Sequence, residues 1–316
     1  MSRIRMMTAA AGAALLAACG SGGDAALTIG LTYVPDVQFA PLYVAEHEGY
    51  FDDEGADVTL RHHGAAETLF GALASGEEDL IIAGGDEMLQ AFTQGVDVRT
   101  VGTLYQEYPL AIAARAETGI AVAEDLAGHT LGLPGPFGEN WFALLATLDA
   151  ADLGEDDLTI DYIGYTAQTA MVTQAVDAVA IFKNNDLLGI EAAGVEVNLV
   201  ETPELPLVGI SVGARGDVID AHPDDVAAIL RALTRAIEFI VADPEATMDI
   251  VAQYVPEMDR EFSRSVLDAT VPLYGDDWLA LNSEVWPEMY EFMLLHDLAE
   301  PDADPHEAYE DLDWAS

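Results

Sequence analysis

A chain of 316 residues that is 51% hydrophobic has the material for a sizeable core and the length for two lobes. Its 57 acidic residues against 11 basic ones leave a formal charge of -46, which excludes nucleic acid as a partner. A single cysteine, Cys19, excludes an intrachain disulfide. Acids scattered along every solvent face point to adaptation to high salt, which screens their mutual repulsion, more simply than to a cationic ligand.

Residues 1–18 read as a signal peptide, with Arg3 and Arg5 ahead of an apolar run too short to span a membrane. Leu16-Ala17-Ala18-Cys19 then resembles a bacterial lipobox, so Cys19 is the expected lipidation site and residues 19–26 a flexible tether. An ordinary cleavage site with an incidental cysteine is the competing reading. From Leu27 to Leu31 apolar residues alternate with small polar ones, as in a strand, and Pro35 stops it. A helix follows, with Leu42, Val44 and Ala45 inward and Gly49 as its stop.

Strand and helix then alternate across short loops, the pattern of an α/β fold with parallel strands. Expected strands are Val58 to Leu60, Asp79 to Ala83 and Val98 to Leu104, with helices from Glu67 to Leu73 and after Gly84-Gly85. The chain is expected to cross to a second lobe between Ala111 and Gly119 and to return near Pro206. Between these points lie three strand-helix units, opened by Thr130, Thr159 and Ala178. Leu207 to Gly213 reads as the returning strand. Pro223 to Val241 carries the clearest apolar stripe, Val226, Ile229, Leu230, Leu233, Ile237, Ile240 and Val241, with proline and two aspartates in its first turn. Later helices contain Met248 to Tyr254, Phe262 to Ala269 and Val285 to Leu295.

The stretch Tyr33-Val34-Pro35-Asp36-Val37-Gln38-Phe39-Ala40-Pro41-Leu42-Tyr43-Val44-Ala45, with Glu48-Gly49-Tyr50-Phe51 after it, resembles the start of periplasmic solute-binding proteins of the nitrate/sulfonate/thiamine-pyrimidine superfamily. The similarity runs over about residues 27–300. It implies a two-lobed α/β fold of the periplasmic-binding-protein type, with a ligand cleft between lobe 1 (27–114 and 207–316) and lobe 2 (115–206). It also implies a monomeric extracytoplasmic receptor that closes by hinge motion and delivers its ligand to the permease and ATPase of an ABC importer. The nearest likeness within the superfamily is to receptors for thiamine pyrimidine precursors and for riboflavin; receptors for sulfonates, nitrate or taurine are the runner-up. The superfamily includes an enzyme, the thiamine-pyrimidine synthase. Here its cofactor lysine corresponds to Ala83 and its substrate histidine to Glu87, and its cysteine-rich iron site has no counterpart, so the chain reads as a binder without a cofactor.

Strand-end loops supply the candidate ligand contacts. Tyr33, Phe39, Phe137 and Trp141 are offered as stacking faces, and Asp36, Gln38, Glu87, Asn140, Asn185 and Asp186 as partners for a ring edge. Trp141 suits a core position equally well. Gly84, Gly85 and Asp86 allow close backbone approach, and Gly135, Gly138 and Glu139 form a turn at a helix N-terminus. His63, Tyr108, Tyr165 and Asn184 complete the set. Arginine is absent from these loops, and the only lysine, Lys183, lies just before Asn184. Gly209-Ile210-Ser211-Val212-Gly213 matches a hydrolase elbow by chance, because it reads as continuous strand. His62 and His63, adjacent in an extended segment, point to opposite faces and are poorly placed for one metal.

Overall fold

The computed structural model describes residues 26–32, 34–64, 67–200, 205–312 and 314. The leader, Cys19 and Tyr33 lie outside the described residues.

The first sheet is built from β1 (Leu27–Leu31), β2 (Val58–His62), β3 (Leu80–Gly84), β4 (Val98–Thr103) and β10 (Ile210–Arg215), in the order β2-β1-β3-β10-β4. Its first three strands run parallel, and β10 returns antiparallel between β3 and β4. The second sheet holds β5 (Leu110–Arg115), β6 (Thr130–Leu133), β7 (Thr159–Tyr162), β8 (Ala178–Phe182) and β9 (Val197–Val200), in the order β7-β6-β8-β5-β9.

Helices cover both faces of each sheet, and the two-residue period of the strands sorts their side chains between them. Leu80 and Ile82 of β3 face a core made with α1 (Ala40–His47), α9 (Pro223–Ala242), α10 (Pro244–Tyr254) and α11 (Arg260–Thr270). Ile81 and Ala83 face α3 (Gly71–Ser75) and α4 (Gly85–Thr93). In β8, Ala178 and Ala180 meet α5 (Gly138–Ala150), while Val179 and Ile181 meet α6 (Ala167–Val172) and α7 (Asp186–Ala192). Two short helices, α2 (Tyr50–Glu54) and α8 (Gly216–Ala221), lie on the first lobe. The last helix, α12 (Val285–Leu295), carries Trp286, Met289 and Met293 into the second lobe's core.

Two strands, β5 and β9, are additional to the sequence expectation. The first of them moves the crossing point. Leu110–Arg115 pairs antiparallel with β8 and β9, so the chain changes lobe within residues 104–109 instead of after Ala111. The helix expected from Glu67 starts at Gly71. Glu67 instead ties its carboxylate back to Gly64 N at 2.7 Å and to Arg61, which holds the residues before α3 as a loop.

Outgoing and returning segments lie against each other at the crossing. The amides of Leu104 and Tyr105 donate to Ile210 O at 2.8 and 3.0 Å, and Gly85 N donates to Gly209 O at 3.0 Å. A Cβ on Gly209 would stand 2.6 Å from Tyr105 O, a backbone atom with no room to yield, so only glycine lets the two segments cross this closely. Ser211 is buried in β10 and donates to Gly209 O at 2.8 Å, a position within a strand and not an exposed elbow.

Candidate functional site

The carboxyl ends of β1, β3, β4 and β8, the turn after β7, and the first turns of α4, α5 and α7 converge on one cavity of about 240 Å³ between the lobes. This is the edge at which open α/β sheets meet ligands.

One wall is set by the loop after β1. Asp36 Oδ1 accepts from both the backbone N and Nε2 of Gln38, each at 3.0 Å. Gln38 thereby presents Oε1 across the cleft, where Asn184 Nδ2 donates to it at 3.2 Å and to Thr270 Oγ1 at 2.9 Å. These bonds join the second lobe to the first. Phe39 stands edge-on to Tyr43 at 6.4 Å and to His62 at 5.5 Å, and Tyr43 stacks on Tyr254 at 4.4 Å. The ring offered to the cavity is therefore held from behind by an aromatic cluster. Tyr105 and Tyr274, centroids 6.1 Å apart, form a second aromatic wall, with Phe182 and the exposed Tyr165 on the other lobe.

Acidic groups collect at one corner. Asp86, fully buried, accepts at Oδ1 from Glu87 N at 2.7 Å and from Tyr108 OH at 3.4 Å. Glu87 accepts from Gly84 N at 3.4 Å and lines the cavity, as does Glu139 from the facing lobe. Glycine lets them interleave: a Cβ on Gly84 would be 2.3 Å from Asp86 Oδ1 and 2.9 Å from Glu139 Oε1. A Cβ on Gly138 would be 2.9 Å from Glu87 Oε1. Burial and then the Glu139 charge push the carboxyls of Asp86 and Glu87 well up, and burial pushes Glu139 up to about 7. Burial also raises Asp186, against the pull of the Phe182 N–H that it accepts at 2.9 Å.

Of the sequence candidates, Gln38, Phe39, Glu87, Glu139, Asn140, Tyr165, Asn185 and Asp186 line the cavity. Asp36, Asp86, Tyr108 and Asn184 stand behind it as the partners just described. Gly84 and Gly138 give the close approaches, whereas Gly85 packs on Val208 of the returning segment and Gly135 lies under the Phe137 ring. Three expectations are corrected. Trp141 is 7% exposed and belongs to the second lobe's core, because the helical phase of α5 turns it inward with Leu144, Leu145 and Leu148. Phe137, at the N-cap of α5, is 55% exposed and lines no part of the cavity. His63 is buried against Glu78 at 2.9 Å, away from the cavity lining.

Lining residues beyond the sequence set include Thr32, Leu69, Tyr105, Phe182, Ile210 and Tyr274. Phe182 sits at a strand end, a signal that could have found it, and Tyr105 lies in the Tyr105 to Pro109 stretch that the sequence marks as a weaker candidate. Tyr274 arrives from a turn after α11, and nothing local in the sequence marks it.

Comparison with known proteins places this architecture. A family model described as "NMT1/THI5 like" matches residues 36–247, well over half of the chain. The chain belongs to the NMT1/THI5-like family. The riboflavin-binding protein RibY of Chloroflexus aurantiacus is 30% identical over 295 residues, covering 90% of this chain and 84% of that protein. A 4-amino-5-hydroxymethyl-2-methylpyrimidine phosphate synthase of Aspergillus parasiticus is 23% identical over 291 residues, covering 87% of this chain and 84% of the synthase. Among solved structures, the periplasmic aliphatic sulphonate binding protein SsuA of Escherichia coli superposes with a TM-score of 0.76 at 19% identity, covering 91% of this chain and 92% of SsuA. The fold is thus that of the periplasmic binding proteins. Ala83 and Glu87, which the resemblance sets where the synthase has its lysine and histidine, both line the cavity.

Proposed function

We propose that the protein is the extracytoplasmic receptor of an ABC importer, anchored through lipidated Cys19, and that it captures a planar heteroaromatic vitamin or precursor, either a thiamine pyrimidine precursor or a flavin. The observation that carries this reading is the make-up of the cavity. Aromatic rings from both lobes flank it, amides and carboxylates edge it, and no arginine or lysine is among the described residues that line it. A sulfonate or nitrate taken from water needs converging donors and a cation, because a buried unpaired anion is costly. A ring bearing N–H groups can stack and donate. The likeness to a riboflavin-binding protein supports the same class.

Binding, not catalysis, is the role proposed. A synthase of the related kind would need a lysine for its cofactor, and the resemblance sets Ala83 at that position. Lys183 is exposed and lies outside the cavity lining.

Purification under native conditions, denaturation and mass analysis of the released small molecules tests the ligand class. A flavin or aminopyrimidine at near-stoichiometric yield is expected; a sulfonate in its place would overturn the reading. The Cys19 fragment of membrane-fractionated protein should carry acyl mass.

A further inference from the structure

The corner where Asp86, Glu87 and Glu139 meet has acceptors but lacks donors to match them. Asp86 Oδ2 is buried without a partner, and so is Asn140 Oδ1 at the cavity wall. The bonds around Asn184 lead to the same result. A carboxylate only accepts, so Asp36 fixes the Gln38 amide with its nitrogen inward; Gln38 Oε1 then takes the Asn184 Nδ2 proton. Asn184 Oδ1 is left without a donor, in a residue 2% exposed. Tyr274, 1% exposed, lines the cavity with its hydroxyl also unpartnered. Buried polar atoms in folded proteins are nearly always satisfied, and an acceptor left alone costs about 1–3 kcal/mol. Of these, Asn140 and Tyr274 line the cavity, so the donor that Asn140 Oδ1 lacks and the partner that the Tyr274 hydroxyl lacks are assigned to the ligand.

We propose that Glu87 and Glu139, which line the cavity, form with the buried Asp86 behind them a subsite for a cationic N–H edge of the ligand, of the amidinium type that a protonated amino-heterocycle presents. This rests on the heteroaromatic reading above and deepens it. Two parallel N–H donors match a carboxylate in both geometry and charge. The other titratable groups that line the cavity are Tyr105, Tyr165, Asp186 and Tyr274, with Tyr108 behind it on Asp86, and none of them supplies a positive charge. Burial pushes all three carboxyls up, the Glu139 charge adds to the rise of Asp86 and Glu87, and Glu139 stands at about 7. A bound cation displaces the proton that Glu139 keeps below about 7, so the affinity for a permanent cation rises with pH and levels off once Glu139 is ionised.

The test titrates the full chain with two planar probes of one shape, benzamidine and its neutral counterpart benzamide, between about pH 5.5 and 8.5. Riboflavin and an aminopyrimidine thiamine precursor are titrated alongside. Benzamidine is expected to bind at least about tenfold more tightly than benzamide, a preference of about 1.4 kcal/mol that grows with pH. Glu139→Gln and Glu87→Gln, checked for an unchanged melting profile at pH 5, should each abolish it. Equal binding of the two probes, or a preference untouched by both substitutions, would overturn the subsite. Riboflavin binding with no benzamidine preference would leave the heteroaromatic reading standing and remove the subsite. A benzamidine preference with both heterocycles silent would do the reverse.

Discussion

Replacing Glu139 by Gln removes a charge that the cleft has to accommodate without a counter-ion among its lining residues. Glu139 is held at about 7 from an ordinary 4.5, and at about 1.36 kcal/mol for each pH unit its ionised form is disfavoured by at most about 3 kcal/mol. Water reaching this half-buried group through the cavity mouth brings the figure down to about 1–2 kcal/mol. The sign follows from proton counting. Between pH 4.5 and about 7 the folded chain keeps a proton that the unfolded chain has lost, so stability falls as pH rises through that window and stays low above it. Ligand-free Glu139→Gln should therefore melt with the parent at pH 5 and about 1.5–3 °C above it at pH 8. Differential scanning calorimetry at the two pH values reads this directly. The same displacement at both pH values, or a lower melting point at pH 8, would refute the electrostatic account of the corner.

Trp141→Ala should cost about 3–5 kcal/mol in urea unfolding, the range for emptying a large aromatic from a core, while the folded variant keeps its ligand affinity within about threefold. Gly209→Ala should destabilise by about 1–3 kcal/mol in the same assay, because the new methyl meets the Tyr105 carbonyl and forces the crossing segments apart. Melting temperature should climb with potassium chloride as the Debye length falls from about 10 Å at 0.1 M to about 3 Å at 1 M; a flat curve would remove the argument from the charge of -46.

Much of the fold could be read from local pattern. The stripe from Val226 to Ile240 placed α9 within a residue of its observed Pro223–Ala242, and Val285–Leu295 is the helix expected. What local pattern does not carry is which sheet receives a strand. Leu110–Arg115 is apolar enough for either lobe, and only its antiparallel pairing with β8 assigns it to the second. The site divides in the same way. Gln38, Glu87, Asn140 and Asp186 were legible because strand ends and helix starts are marked by composition, and all four line the cavity. The aromatic residues near β6 were not, since which of Phe137 and Trp141 points inward depends on where α5 begins, and it begins at Gly138 with Trp141 turned to the core. Tyr274 depends on tertiary packing that brings residues 271–274 beside Tyr105, a contact between segments far apart in sequence.

The central claim, a receptor for a planar N–H-bearing heterocycle, is tested most directly by titration calorimetry of the full chain against riboflavin, an aminopyrimidine thiamine precursor, taurine, an alkanesulfonate and nitrate under one buffer condition. The account predicts saturable one-to-one binding of at least one heterocycle and no heat from the anions. Tight binding of taurine, the sulfonate or nitrate with both heterocycles silent would contradict it.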